Sequence, residues 1–171
     1  MNKQLSWLLL FLLFAGMFYS CKKAEKFPIE PAISLKSFYT IQSAGKDTAM
    51  YIILNFTDGD GDLGLDQDDT LPPFQPNGPY YQNFLVDMYE LIDGVWTINS
   101  HSSQFGGTMG GRFPNLTPAG NNKALKGEIK FSVALPAPAV TNDTCYFTVF
   151  IYDRALHKSN VVTTPEIVIS N

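Results

Sequence analysis

Apolar and polar residues alternate along most of the chain, at a period of two rather than 3.6. Met50, Ile52, Leu54 and Phe56 share one face of an extended segment, and Phe84, Val86 and Met88 share another. That second run continues through a turn at Asp93-Gly94 into Val95–Ile98. Ile129, Phe131, Val133 and Leu135 alternate with Glu128, Lys130 and Ser132, and Cys145, Phe147, Val149 and Ile151 alternate with Tyr146, Thr148, Phe150 and Tyr152. Alternation of this kind presents one face to a core and the other to solvent, as strands do. Ile33/Leu35 and Ile167/Ile169 supply a first and a last strand. From Ile33 onward no stretch holds helical spacing for three turns. The pattern predicts an all-β fold: an antiparallel β-sandwich of about seven strands, immunoglobulin-like or fibronectin-III-like in its simplest version.

One segment breaks the alternation. Residues 5–19 read LSWLLLFLLFAGMFY, preceded by a single base at Lys3. A short basic start followed by an apolar run is the layout of a secretory signal peptide. A membrane span would need about 17–25 apolar residues, more than are present. The chain therefore divides into a signal segment at 1–20, a tether at 21–31 stiffened by Pro28 and Pro31, and one domain at 32–171.

Composition narrows the function classes. The 171 residues are 16% charged and include 13 Phe, 8 Tyr, 13 Gly and 11 Pro, which argues against a helical bundle or a disordered chain. Two cysteines cannot build a disulfide scaffold, and Cys145 lies on the inward register of its strand, as a buried thiol would. A net charge of -4 opposes nucleic-acid binding.

That mild net charge conceals a sharp asymmetry. Between Lys46 and Arg112 there is no Lys or Arg, and ten acids fall in that window; the flanks on both sides are net positive. Six of the ten lie within Asp58–Asp69. Counted from Asp58, the acids Asp58, Asp60, Asp62, Asp66 and Asp69 occupy places 1, 3, 5, 9 and 12 of a calcium loop of the EF-hand kind, and Gly64 occupies the place of the backbone-carbonyl ligand. Hard oxygens on a curled, glycine-bearing backbone suit a calcium ion. Three departures reject a true EF-hand: Leu63 replaces the sixth-place glycine, the last ligand is Asp69 rather than the longer Glu, and a strand rather than a helix precedes the loop. A strand-loop calcium site with a structural task is expected, and the alternative is a solvated acidic hairpin whose charges discourage edge pairing.

Other constellations carry less. Gln104–Arg112 is glycine-rich without the ending of a phosphate loop, and reads as a flexible loop. His101 and His157 stand alone in sequence, and Asp153-Arg154 reads as a local ion pair at a turn. No nucleophile accompanies a base, so an enzyme is not expected. Phe74, Tyr80, Tyr81 and Trp96 form a sugar-stacking surface if they are coplanar and exposed.

Two resemblances sharpen the location. Phe18-Tyr19-Ser20-Cys21 resembles the lipobox of bacterial lipoproteins, with Phe18 in place of the usual Leu. The resemblance implies cleavage before Cys21 and acylation of its thiol, giving a membrane-anchored protein. Lys22 stands where an Asp would resemble an inner-membrane retention signal, which favours the outer membrane, periplasmic or surface face undecided. Phe56–Gly64, Gly111–Pro114, Gly127–Ile129 and Ile151–Asn160 together resemble a family of uncharacterised Bacteroidota lipoproteins with a DGDGDLG-type acidic loop. That resemblance implies an Ig-like fold and an envelope location, and brings no assigned activity. The expected function is a structural or interaction module with an envelope protein or glycan as partner. The alternative is a carbohydrate-binding accessory lipoprotein of an outer-membrane glycan-uptake system.

Overall fold

The computed structural model describes residues 25–107, 109–121, 123–135 and 144–170. The signal segment, Cys21 and Lys22 lie outside the described residues. The described chain is nearly all β. Its strands are β1 (Ala32–Ser43), β2 (Lys46–Asp58), β3 (Phe84–Ile92), β4 (Val95–Ile98), β5 (Leu125–Ala134), β6 (Thr144–Ile151), β7 (Val162–Thr163) and β8 (Ile167–Val168). A single 3₁₀ turn, Ser103–Phe105, is the one helical element among them.

All pairings between these strands are antiparallel. One sheet has the order β1-β2-β5; the other has β4-β3-β6-β7, with β8 also on β6. The two sheets meet over a shared core, to which β2 gives Met50, Ile52, Leu54 and Phe56, and β6 gives Cys145, Phe147, Val149 and Ile151. Register follows from that alternation: Met88 opposes Phe147 and Val86 opposes Val149, while Leu54 opposes Ile129. A slip by one residue would turn each of these side chains to solvent, losing about 1.5–3 kcal/mol apiece. The Phe84 and Phe131 rings stack at 4.1 Å, joining the two sheets.

Both tight hairpins use left-handed residue pairs. Ala44-Gly45 joins β1 to β2 at φ 52 and 79, and Asp93-Gly94 joins β3 to β4 at φ 49 and 78. Such pairs match the twist of the strands they connect. β1 is an edge strand, and its register shifts beside Lys36, where a bulge and a charge blunt the exposed edge.

The edge of β3 is closed differently. β4 covers only Tyr89–Ile92. Beyond it, Ser102 Oγ accepts the Met88 N–H at 2.9 Å, Ser103 Oγ accepts the Val86 N–H at 2.9 Å, and the Asn99 N–H donates to the Met88 carbonyl at 2.8 Å. Gly111 then pairs with Phe84, and Met109 is buried in the core. Ser102–Gln104 and Met109–Arg112 are thus seated along the strand rather than free, because two serine hydroxyls and a methionine fix them.

The chain closes one end of the sandwich between β2 and β3. Leu63 bridges to Asp153 and Leu65 to Pro114, and both leucines are buried. Leu63 occupies the sixth loop place because it plugs the core there.

Candidate metal centre

β2 ends at Asp58 and β6 ends one residue pair before Asp153, at the same end of the domain. The loop after β2 brings Asp58, Asp60, Asp62 and Asp153 together, each offering a carboxylate oxygen, with all four oxygens within 4.8 Å of one another. Asp58 is fully buried and Asp153 nearly so, at 0% and 2% exposure.

Main-chain donors orient the cluster. The Asp62 N–H donates to Asp58 Oδ2 at 3.1 Å, which curls the loop back on itself. The Ala155 N–H donates to Asp62 Oδ2 at 2.9 Å, and the Arg154 N–H to the Asp62 carbonyl at 3.2 Å. Asp153 receives the His157 N–H on Oδ1 at 2.7 Å and faces His157 Nδ1 across 2.8 Å with Oδ2. One oxygen each of Asp58, Asp60 and Asp62, Oδ1 in every case, is buried with no hydrogen-bond partner. A buried carboxylate oxygen without a donor is costly, and several side by side add repulsion.

The titration behaviour carries the same stress. Burial, then the Asp60, Asp62 and Asp153 charges, push the Asp58 carboxyl up to about 7. Burial and the neighbouring Asp153 and Asp60 raise Asp62 as well. Asp153 is raised by burial despite the opposing hydrogen bonds from His157, and His157 is raised by its bond to Asp153. A divalent cation would supply what these oxygens lack: an all-oxygen, multiply charged set suits a hard cation of the calcium or magnesium type.

The intervening glycines serve close packing. A Cβ on Gly59 would stand 2.3 Å from the Phe27 carbonyl oxygen, and one on Gly61, at φ +69, would stand 1.8 Å from that of Lys123. Alternating Asp and Gly therefore turns carboxylates inward while main chain packs against the loop from outside.

Of the residues expected at the site, Asp58, Asp60 and Asp62 are brought together, whereas Asp66 and Asp69 are drawn elsewhere. Both Asp69 oxygens take the Arg154 guanidinium, at 2.7 and 3.2 Å, and Asp69 Oδ2 also accepts the Asp66 N–H at 2.8 Å. Burial would raise the Asp69 carboxyl, but that N–H and Arg154 outweigh it and hold it low. Asp66 Oδ2 accepts from Asn115 Nδ2 at 2.9 Å. Arg112 pins the same turn by donating to the Tyr81, Asp66 and Asp69 carbonyls. Gly64, at φ +90, serves close approach to the Pro114 carbonyl. The reason is topological: Leu63 and Leu65 anchor the loop in the core, so the chain beyond them cannot wrap back around the first three acids.

The sequence pattern does not mark Asp153 or His157 as site residues. Their four-residue spacing was the available signal; the pairing of Asp153 with a loop more than 90 residues earlier had none. Asp153 and Arg154 do not pair with each other, since the first turns to His157 and the second to Asp69.

The aromatic residues are dispersed. Tyr80 meets Tyr152 edge-on at 5.2 Å, Tyr81 lies under Arg112 at 4.9 Å, and Trp96 meets Tyr146 edge-on at 4.7 Å. Trp96 sits on β4, at the far end of β3 from Tyr80 and Tyr81. A half-open cleft of about 500 Å³, lined by both polar and apolar groups, lies beside Tyr81, Arg112, Asp66 and Asn115. No family model, curated protein or solved structure matches the chain.

Proposed function

We propose that this chain is a lipid-anchored module of the bacterial cell envelope, an immunoglobulin-like or fibronectin-III-like sandwich that acts by interaction rather than catalysis. It is held at the outer membrane through acylated Cys21, and a calcium ion at Asp58, Asp60, Asp62 and Asp153 fixes one end of the domain. The observation that carries the cation reading is the set of three buried, unpartnered carboxylate oxygens beside a fourth carboxylate. Calcium suits an irregular carboxylate loop better than magnesium, which demands near-octahedral geometry and retains its waters. The ion's task is structural because its loop is packed on both sides by main chain. The carbohydrate-binding alternative is the weaker one, since the aromatic rings do not gather into a platform.

Thermal melting tests the cation reading. Calcium at about a hundred times its dissociation constant contributes about 2.7 kcal/mol, which raises Tm by about 5–10 °C over chelator. No rise with calcium or magnesium sinks the reading. Membrane fractionation tests the anchor: Cys21→Ser is expected to move the protein to the soluble fraction, and retention in membranes counts against acylation.

A further inference from the structure

The tether does not leave the domain at a neutral spot. Residues 27 and 28 cross the acidic loop main chain to main chain: a Cβ on Gly59 would stand 2.3 Å from the Phe27 carbonyl oxygen and 2.5 Å from that of Pro28. The contact continues on both sides. Glu25 pairs with Lys126 at 2.6 Å, Pro31 is buried, and the Ile33 N–H and carbonyl are both held by the Asn160 side chain, at 2.8 and 2.9 Å. The Glu30 carboxylate acts electrostatically on His157, the partner of Asp153. The surface that receives the tether is therefore the outside of the cluster whose inside holds buried, unpartnered oxygens of Asp58, Asp60 and Asp62.

We infer that the cation site is a latch for the tether: an ion at Asp58, Asp60, Asp62 and Asp153 holds residues 58–62 in the curl on which Phe27 and Pro28 seat. The inference rests on the cation reading above. Without the ion, four carboxylates within 4.8 Å repel one another, and that repulsion acts on the segment that forms the tether's seat. With the ion, repulsion becomes shared coordination and the seat is rigid. The tether, which carries the domain's attachment, is then fixed in direction, and the domain stands in one orientation to whatever surface it is attached to. Coupling of this kind is reciprocal, so a docked tether strengthens cation binding by the factor with which the cation strengthens docking.

Limited proteolysis of the soluble Cys21→Ser protein with a lysine-specific endoproteinase, in calcium or in chelator, tests this. Lys26–Phe27 reports the tether, and Lys46–Asp47 is an internal control at the other end of β2, about 40 Å away for a strand of that length. Calcium is expected to slow cleavage at Lys26 about tenfold, within the usual 5–150-fold range of coupling, and to leave Lys46 unchanged. Gly59→Ala places a methyl in the tether's path without removing a carboxylate. It is expected to abolish the protection at Lys26 and to weaken calcium binding by the same factor, with circular dichroism confirming that the sheets persist. Calcium binding that raises Tm while Lys26 is cut at one rate in both conditions overturns the latch and leaves the cation site standing. Wild-type affinity and protection in Gly59→Ala overturn it too. Absence of calcium binding by calorimetry overturns the cation reading, and the latch with it.

Discussion

Asp58→Asn is expected to make the cation-free protein more stable and to remove its response to calcium. Asp58 is fully buried, and its carboxyl is pushed from 3.8 up to about 7 by burial and by Asp60, Asp62 and Asp153. Because the folded state favours the protonated form, this residue's contribution is intact below about pH 4 and is lost as pH rises through about 7. Holding the charge in place above that range costs up to about 4 kcal/mol, less as the loop relaxes, so that about 2–4 kcal/mol is expected at pH 8. Asparagine keeps an oxygen for the Asp62 N–H and turns an amide donor toward the remaining carboxylates. The expected gain in Tm at pH 8 in chelator is about 5–10 °C, shrinking to about two-fifths of that at pH 5, where the folded carboxyl carries its proton but the unfolded one has already lost it, and vanishing only below about pH 4. Differential scanning fluorimetry at both pH values, with chelator and with calcium, reads all of this. An Asp58→Asn protein that melts at or below wild type at pH 8 in chelator refutes the reasoning. So does an equal advantage at pH 5.

Three further outcomes follow from the same geometry. Ser102→Ala removes the partner of the buried Met88 N–H and is expected to cost about 1–3 kcal/mol in urea unfolding; a change below 0.5 kcal/mol or so would mean that the edge of β3 is closed by other contacts. Arg154→Ala breaks the two contacts to Asp69 but is expected to leave calcium affinity within about twofold, as partly exposed pairs contribute roughly 0–1 kcal/mol; a tenfold fall in calorimetry would place Asp66 or Asp69 at the ion. Cys145 is buried and its thiol is pushed up to about 12, first by burial and then by Glu90, so it is expected to ignore a thiol-reactive dye at pH 8 until denaturant is added.

The strands were legible because alternation reports a two-faced environment directly. Met50, Ile52, Leu54 and Phe56 read as one face and are buried as one. The turn at Asp93-Gly94 was legible for a similarly local reason, since both residues tolerate left-handed backbone. The site was legible only where it is local. Asp58, Asp60 and Asp62 lie on one curl of chain, and their spacing exposed them. Asp66 and Asp69 matched the same spacing, yet the buried leucines between fix the chain's path and Arg154 draws them away. Asp153 belongs to the cluster only because β2 and β6, in different sheets, finish at the same end. The seating of the glycine-rich segment was likewise invisible, because serine hydroxyls that stand in for a strand leave no periodic trace.

Five glycines distinguish the two ends of the domain. At the acidic end, Gly59, Gly61 and Gly64 each have a carbonyl oxygen within 2.3 Å of where a Cβ would lie, so almost any replacement there displaces backbone. At the opposite end, Gly45 and Gly94 have nothing within 4 Å, and only their left-handed backbone restrains a substitution. Sequence drift, inserted tags and new surface epitopes would therefore accumulate at the two hairpin tips. A comparison of natural variants would find the turn sequences free to diverge while the Asp-Gly-Asp-Gly-Asp run stays fixed, a gradient of evolutionary freedom that points away from the end where residues 27 and 28 cross the acidic loop.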